Sequence, residues 1–264
     1  MPTMRRLPRL RRNGVVMHAM LALMADMHAN REAFAACLAD AQARGAKRYV
    51  FLGDYVGYGA DPCWVLDTVM EHVARGALAI RGNHDDAVLT PNDNMNDAAQ
   101  AAIEWTRRQL GQAHRDFLAQ LPLSLEEGHR LFVHASASEP ATWRYIDGPK
   151  AAARSLAATQ CRVTFCGHIH VPQLYRESES REVAGGDAPD ATEFPLLAMW
   201  RWLAVLGSVG QPRDDNPDAC YALFDEERDV LTYVRVRYDI RTAAQKIRAA
   251  GLPVSLALRL TVGR

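Results

Sequence analysis

The apolar residues of this chain form short runs that alternate with longer amphipathic segments through the first two thirds of the sequence. Apolar residues at helical spacing follow Asn30 and Asp61-Pro62 and recur near residues 98–110, 114–121 and 149–158, which predicts helices there. Between these segments, continuous apolar runs predict buried strands at residues 20–25, 49–52, 78–80, 130–133 and 163–166. This alternation is typical of parallel strands connected by helices.

The last third of the chain has a different pattern. Strand-like segments at residues 173–175, 202–206, 221–224 and 230–238 lie close together in sequence and predict an antiparallel meander. Residues 177–190 are polar and glycine-rich, which predicts a flexible loop, and a last helix is predicted at residues 242–250. We therefore expect two sheets between layers of helices, in one domain that covers residues 20–264.

Residues 1–19 have two interpretations. Five arginines precede an apolar stretch at residues 15–25, an order that is typical of a signal peptide. The alternative is a basic arm followed by a buried strand, and we favour it because cleavage after Ala25 would remove the strand that positions Asp26. In that case the arm is disordered, or the start of the chain is misassigned and Met17 or Met20 is its true first residue.

Composition and charge narrow the class of protein. The 264 residues are 48% hydrophobic and 23% charged, as in globular proteins, and 31 basic residues balance 31 acidic ones. Zero net charge removes the general attraction to nucleic acids and membrane surfaces. The five cysteines form no C-x-x-C pair, which favours a reducing compartment. We expect a cytoplasmic protein with a small-molecule substrate and no membrane or nucleic-acid partner, and the oligomeric state stays open.

The chemistry lies immediately after the five apolar runs of the first two thirds. In open α/β sheets the ligand site lies beyond the carboxyl ends of the strands, so these loops can converge. Each loop supplies aspartate, asparagine or histidine, and the candidate metal ligands are Asp26, His28, Asp54, Asn83, His134, His168 and His170. Carboxylate, imidazole and amide groups suit Mn or Fe foremost, and Zn, Ni and Co also fit. Seven ligands are too many for one ion, so we predict two divalent ions with Asp54 as the bridge.

The charge of such a centre indicates its substrate. Two divalent ions, two aspartates and a bridging hydroxide leave a charge of about +1, which attracts phosphate esters. His84 adjoins Asn83 and is the candidate catalytic acid for the leaving group. Asn83 and Arg213 are candidate substrate-binding residues, although Arg213 can equally form a surface salt bridge, and Tyr58 fits either a cleft wall or a packed loop. Each motif alone has an ordinary structural explanation as a turn or a half-buried histidine, and the order of all five carries the prediction.

This order of motifs, D-x-H, G-D, G-N-H-D, H and G-H-x-H over residues 20–170, resembles the calcineurin-like metallophosphoesterase superfamily. The segments GDYVGYG at residues 53–59 and GSVGQPRD at residues 207–214 resemble its small bacterial branch. The resemblance implies an α/β/β/α sandwich of two mixed sheets with the metal site at the carboxyl ends of the strands. It also implies His84 as the catalytic histidine and two ligand sets that share Asp54: Asp26, His28, Asp54 and His170 for one metal, and Asp54, Asn83, His134 and His168 for the other.

Departures from the family pattern bear on the substrate. Ala29 and Ala135 stand where many members have glycine, and the G-D-x-x-D-R-G pattern of phosphoprotein phosphatases lacks its second aspartate and its arginine here. We therefore expect a hydrolase that uses a metal-bridging hydroxide on phosphodiesters or nucleotides. The alternatives are a phosphomonoesterase or Ser/Thr-type protein phosphatase and, from another class, a non-catalytic interaction scaffold, which the filled ligand set disfavours.

Overall fold

The computed structural model describes residues 20–90 and 95–264, so the predicted basic arm lies outside the described residues. Within them the chain forms twelve strands, eight α-helices and one 3₁₀ turn at Pro140–Thr142. The strands are β1 (Met20–Met24), β2 (Arg48–Phe51), β3 (Leu78–Ala79), β4 (Ser124–Glu127), β5 (Arg130–Val133), β6 (Val163–Cys166), β7 (Pro172–Glu177), β8 (Val183–Asp187), β9 (Glu193–Pro195), β10 (Arg201–Leu206), β11 (Ala219–Asp225) and β12 (Val230–Val236). The helices are α1 (Arg31–Ala43), α2 (Pro62–Ala74), α3 (Asn83–Leu89), α4 (Asp97–Gln109), α5 (Gln112–Gln120), α6 (Pro149–Ala157), α7 (Ile240–Ala249) and α8 (Val254–Val262).

The strands form two mixed sheets of six strands each. The spatial order is β3-β2-β1-β11-β12-β9 in the first sheet and β4-β5-β6-β10-β7-β8 in the second. Strands β1 to β3 are mutually parallel, as are β5, β6 and β10, and the other pairs are antiparallel. The predicted fold class, an α/β fold with two mixed sheets, is therefore confirmed.

Four hydrophobic clusters hold the described sheets and helices together, and three of them lie against the faces of the sheets. Between the sheets, the ring of Phe165 packs 5.7 Å from Phe132 and 5.5 Å from Phe224, measured between ring centroids. Helices α1 and α2 cover the outer face of the first sheet, where Phe34 and Phe51 are fully buried. Helix α6 covers the outer face of the second sheet through Leu156. This layering leaves one end of both sheets open, and the loops after β1, β2, β3, β5 and β6 meet there. No helix in the described residues is long and apolar enough to cross a membrane.

The predicted meander of the last third is wrong in part: β7 pairs with β10 and β11 pairs with β12, both antiparallel as expected, but the two pairs lie in different sheets. Strands β7 and β10 lie in the second sheet and β11 and β12 in the first, and β10 is inserted between β6 and β7. The reason lies in burial: five of the six residues of β10 are buried, and its two faces pack in the layer between the sheets and in the layer beneath α6. Closeness in sequence favours a meander, but the demand for cover on both faces prevails.

The predicted flexible loop at residues 177–190 is also wrong, because β8 pairs with β7 along five residues. Strand β8 lies at the edge of its sheet and is mostly exposed, so it needs no apolar side chains. At Gly185 the backbone has a φ of 142°, and a Cβ there would lie 2.1 Å from the carbonyl oxygen of Leu174. Glycine permits this close approach, and the same glycine content makes the segment resemble a loop. Helix α8 and the short strands β4 and β9 were also not predicted.

Candidate metal centre

All seven predicted metal ligands meet at the open end of the two sheets. The side chains after β1, β2, β3, β5 and β6 approach one another, and all except Asn83 are at most 7% exposed: Asp26, His28, Asp54, Asn83, His134, His168 and His170. They form two groups that share Asp54, one with Asp26, His28 and His170 and the other with His134 and His168. The side-chain oxygen of Asn83 lies 3.1 Å from Nε2 of His134, within the second group.

The backbone of these loops is strained. Five of the seven candidate ligands have a positive φ between 46° and 73°: Asp26, His28, Asp54, His168 and His170. Residues with a side chain seldom adopt this left-handed conformation, which costs on the order of 1–3 kcal/mol each and is concentrated at functional sites. Backbone bonds hold the first two loops together, since the amides of Asp26 and His28 donate to the carbonyls of Gly53 and Asp54 at 3.1 and 2.9 Å.

The first group fits a cation because of the protonation of its histidines. Nδ1 of His28 donates to the carbonyl of Val56 at 3.1 Å, and Nδ1 of His170 donates to the carbonyl of Gln211 at 2.6 Å. Burial lowers the pKa of both rings, so each carries a single proton, which these carbonyls place on Nδ1. The two Nε2 atoms, 3.1 Å apart, therefore face each other with lone pairs.

Two facing lone pairs repel unless a positive charge lies between them. Two nitrogens that bind one ion at about 2.1 Å and at right angles lie about 3 Å apart, close to the observed separation. Oδ1 of Asp26 is buried without a hydrogen-bond partner and lies 3.4 Å from Nε2 of His170. The donor set therefore fits a divalent metal ion, and the backbone carbonyls behind the rings orient the ligands as they do in known metal sites.

In the second group, backbone carbonyls again fix one nitrogen of each histidine ring, but one of the two rings is protonated at neutral pH. Nδ1 of His134 donates to the carbonyl of Leu52 at 2.7 Å, and Nε2 of His168 donates to the carbonyl of Trp143 at 2.8 Å. The remaining ring nitrogens lie 3.2 Å apart. Burial lowers the pKa of His134, but the carboxylate of Asp54 outweighs this and raises the pKa to about 9. A metal ion at this nitrogen must therefore displace a proton.

Metal affinity is expected to fall as the pH is lowered from 9 to 6. With the pKa of His134 at about 9, the ring is neutral above this pH and protonated below it, so affinity should fall about tenfold for each pH unit at this site. Titration of the metal-stripped protein with Mn at each pH, together with measurement of the protons released, tests this. Equal affinity at pH 6 and pH 9 without proton release would contradict the pKa assigned to His134.

Asp54 lies between the two groups, where a shared ligand would be. Its Oδ2 is 3.6 Å from Nε2 of His28 and 3.5 Å from Nε2 of His134, while its Oδ1 accepts from the amide of His84 at 2.8 Å. Asp85, which the sequence analysis did not single out, accepts from the amides of Asp54, Tyr55 and Gly82 at 2.8, 2.9 and 2.9 Å. Asp85 therefore ties the loop after β2 to the loop after β3. Burial and the neighbouring charge of Asp54 raise the pKa of Asp85 to about 8.

His84 lies at the N-terminus of α3, between two other rings. Its centroid is 4.5 Å from Tyr58 and 4.8 Å from His28, and its buried Nδ1 has no hydrogen-bond partner. Gly57 stands where phosphoprotein phosphatases have the second aspartate, and a Cβ there would lie 2.4 Å from this nitrogen. Burial lowers the pKa of His84 to about 4, so the ring is neutral at pH 7.

Arg213 reaches the cleft beside the first group. It donates to the side-chain oxygen of Gln211 at 3.0 Å and to the hydroxyl of Tyr58 at 3.3 Å, and its guanidinium lies 5.7 Å from the centre of the Tyr58 ring. Within residues 20–90 and 95–264 it forms no ion pair, so the alternative of a surface salt bridge is not observed there. Tyr58 itself is 6% exposed and lines the cleft, which combines the two interpretations made from the sequence.

Tyr145 is among the cleft-lining residues that gave no sequence signal. Tyr145 follows the 3₁₀ turn, lines the cleft and stacks on the ring of His168, with centroids 4.4 Å apart and an angle of 18° between the planes. It lies in an irregular segment without periodicity, where a pattern of apolar residues carries no information.

Comparison with known proteins identifies the family. The family model of the calcineurin-like phosphoesterase superfamily domain matches residues 20–229. The chain belongs to this superfamily. An uncharacterized protein of Methanocaldococcus jannaschii is 34% identical over 252 residues, which cover 93% of this chain and 99% of that protein.

Solved structures of similar proteins agree with this family. A metallophosphoesterase from Sphaerobacter thermophilus superposes with a TM-score of 0.83 at 33% identity and covers 93% of this chain and 99% of its own. A hypothetical protein from Pyrococcus horikoshii OT3 superposes with a TM-score of 0.74 at 18% identity, covers 93% and 98%, and shows the shared fold alone. Membership of the calcineurin-like superfamily implies divalent metal ions, and the two histidine and aspartate groups are suited to bind them.

Proposed function

We propose that this chain is a binuclear metal-dependent hydrolase of phosphate esters that acts on phosphodiesters or nucleotides. One observation carries the proposal. Four histidines are each fixed through one ring nitrogen by a backbone carbonyl, and their other nitrogens converge on Asp26 and Asp54. A purely structural cluster would not need the facing lone pairs of His28 and His170 in the protein interior, next to an open cleft.

Two ligand sets follow from this arrangement. We propose that Asp26, His28, Asp54 and His170 hold one ion and that Asp54, Asn83, His134 and His168 hold the other. When bound, two divalent ions, Mn or Fe foremost with Zn, Ni and Co also suited to these ligands, supply a water of lowered pKa as nucleophile and positive charge for the phosphoryl oxygens. The filled ligand set argues against a non-catalytic scaffold.

The protein's own residues orient the substrate. Arg213 is placed to bind a phosphoryl oxygen, because its guanidinium faces the cleft and its protein partners are neutral. The amide of Asn83 lies at the second group and can contact the same oxygens. His84 is placed to donate a proton to the leaving-group oxygen once the phosphate anion raises its pKa.

The number of cations favours diesters over monoesters. Among the described residues that line the cleft, Arg213 is the single cation. A monoester carries about two negative charges at neutral pH and gains most from added cations, whereas a diester carries one. The position of Arg213 also supports the second candidate function, a phosphomonoesterase, because it contacts Tyr58 at the position where phosphoprotein phosphatases have arginine.

We expect kcat/KM to be at least about tenfold higher for an aryl phosphodiester than for a phosphoserine peptide, a difference of about 1.4 kcal/mol in transition-state stabilisation. The physical reason is that one guanidinium and a centre of about +1 charge match a singly charged substrate. Steady-state assays of the Mn-loaded protein on bis(p-nitrophenyl) phosphate and a phosphoserine peptide measure this ratio. The monoester p-nitrophenyl phosphate has the same leaving group as the diester and separates the effect of substrate charge from that of the leaving group.

Arg213 supplies the control for this prediction. Arg213→Ala should reduce hydrolysis of both substrates and leave the metal content unchanged, and Arg213→Lys should restore part of the loss. A wild type that prefers the phosphopeptide, with a preference that Arg213→Ala removes, would replace the diester assignment by a protein phosphatase.

A further inference from the structure

Tyr145 is an aromatic residue at the rim of the cleft that the proposed chemistry does not use. It is 53% exposed, although one face of its ring stacks on His168 at 4.4 Å. The other face is therefore accessible. A large aromatic side chain in a catalytic cleft with one free face is a surface on which a second flat ring can stack.

The position of this ring is fixed from both sides. Trp143, two residues earlier, accepts the hydrogen bond from Nε2 of His168 at 2.8 Å, and its ring lies 5.9 Å from His134. Ile146, the next residue, is 1% exposed and packs in the hydrophobic layer beneath α6. Tyr145 is thus held between two anchored residues, so its ring is presented without a large loss of entropy on binding.

The cleft presents a cation beside the first metal-ligand group and an aromatic ring beside the second. Arg213 donates its backbone amide to the carbonyl of His170 at 3.2 Å, which places a cation beside the first group. Tyr145 packs on His168, which places an aromatic ring beside the second. A ligand that spans the cleft therefore meets a cation suited to phosphate and a ring suited to a flat aromatic group.

We propose that Tyr145 forms a stacking platform for the nucleobase of the substrate, so that the substrate is a nucleotide or a nucleotide ester. The inference rests on the proposed function and narrows its substrate class. The accessible face points away from His168, so a ring stacked on it lies farther from the ligand groups than Tyr145 itself. A nucleobase reaches this position because ribose separates it from the phosphate, whereas the ring of a phosphotyrosine is bonded directly to the phosphate oxygen.

Two esters with the same leaving group test the platform. Thymidine 5′-p-nitrophenyl phosphate and methyl p-nitrophenyl phosphate differ in the group that stays on the phosphate, which is a nucleoside in the first and a methyl group in the second. The Mn-loaded wild type should favour the nucleoside ester, and Tyr145→Ala should lower the ratio of the two kcat/KM values about tenfold, since stacking of one base is worth about 1–3 kcal/mol. Tyr145→Phe and Tyr145→Trp should keep the ratio, as should Met199→Ala, which removes an apolar side chain that is 63% exposed and not among the cleft-lining residues.

A binding measurement separates failure of this inference from failure of the proposed function. Calorimetry should show AMP binding about tenfold tighter than ribose 5-phosphate, with the difference lost in Tyr145→Ala. If both esters are hydrolysed and Tyr145→Ala leaves their ratio unchanged, or slows both equally, the nucleobase platform is wrong and the phosphoesterase stands. If neither ester is hydrolysed, the proposed function fails, and equal affinities for AMP and ribose 5-phosphate would then overturn the platform as well.

Discussion

Replacement of Asp54 by asparagine is expected to remove at least one of two bound metal equivalents and to lower turnover by at least about 10³-fold. Asparagine keeps the size of the side chain but removes its negative charge. Oδ2 of Asp54 lies 3.5 to 3.6 Å from the ligating nitrogens of His134 and His28, one from each group, so both ions would lose a charged ligand. The substitution leaves the backbone amide of residue 54 bonded to Asp85, so the fold should persist.

Elemental analysis after reconstitution with Mn tests this expectation. The wild type should approach two equivalents per chain, and so should the matched variant Asp86→Asn, whose carboxylate pairs with Arg81 away from the ligands. A wild type that saturates at one equivalent would refute the binuclear centre. Normal binding of two equivalents by Asp54→Asn would show that the bridging assignment is wrong.

Replacement of His84 by alanine should lower turnover by about 10²–10⁴-fold while metal content stays near that of the wild type. The ring lies in the cleft without contacting an ion in the ligand sets proposed above, so its loss should affect the chemical step. Because burial lowers its pKa to about 4, the ring acts as an acid only when the substrate anion raises that pKa. Metal analysis and single-turnover rates of His84→Ala and His84→Gln measure the two effects separately.

The role of His84 can be determined from how the loss of activity in His84→Ala depends on the leaving group of the substrate. An acid is needed most when the leaving group is poor, so the loss should be larger for alkyl than for nitrophenyl esters. His129→Ala, which changes a half-exposed histidine at the surface, serves as the control and should lose no activity. An equal loss for both ester types would mean that His84 positions the phosphate by hydrogen bonding and donates no proton.

Much of the fold could be predicted because the strands next to the site are buried on both faces. Such strands need continuous apolar runs, and the predicted runs at residues 130–133 and 163–166 coincide with β5 and β6. Asn30 marks the start of α1 in the same local way, since its side chain accepts from the amide of Ala33 at 3.2 Å. Strand β8 lacked such a signal, because an edge strand is stabilised by backbone pairing and its side chains face solvent.

The residues of the candidate site that could be predicted are those marked by local sequence, and the residues that could not are those that depend on tertiary contacts. Its ligands follow strand ends directly, so position along the chain was sufficient to select them. Asp85 acts through amides of Asp54 and Tyr55, some thirty residues away, and nothing in its own neighbourhood indicates this. Tyr145 acquires its place through the bond between Trp143 and His168, which also exists only in the folded chain.

The sheet order has a consequence for how a cell makes this protein. Strand β1, which carries Asp26 and His28, lies between β2 and β11, and β11 is synthesised about two hundred residues later. Until residues 209–225 leave the ribosome, one edge of β1 is unpaired, and the amides of Val209 and Gly210 cannot donate to the carbonyls of Ala25 and Asp26. The first ligand group therefore gains its last backbone supports only when nearly the whole chain has been made.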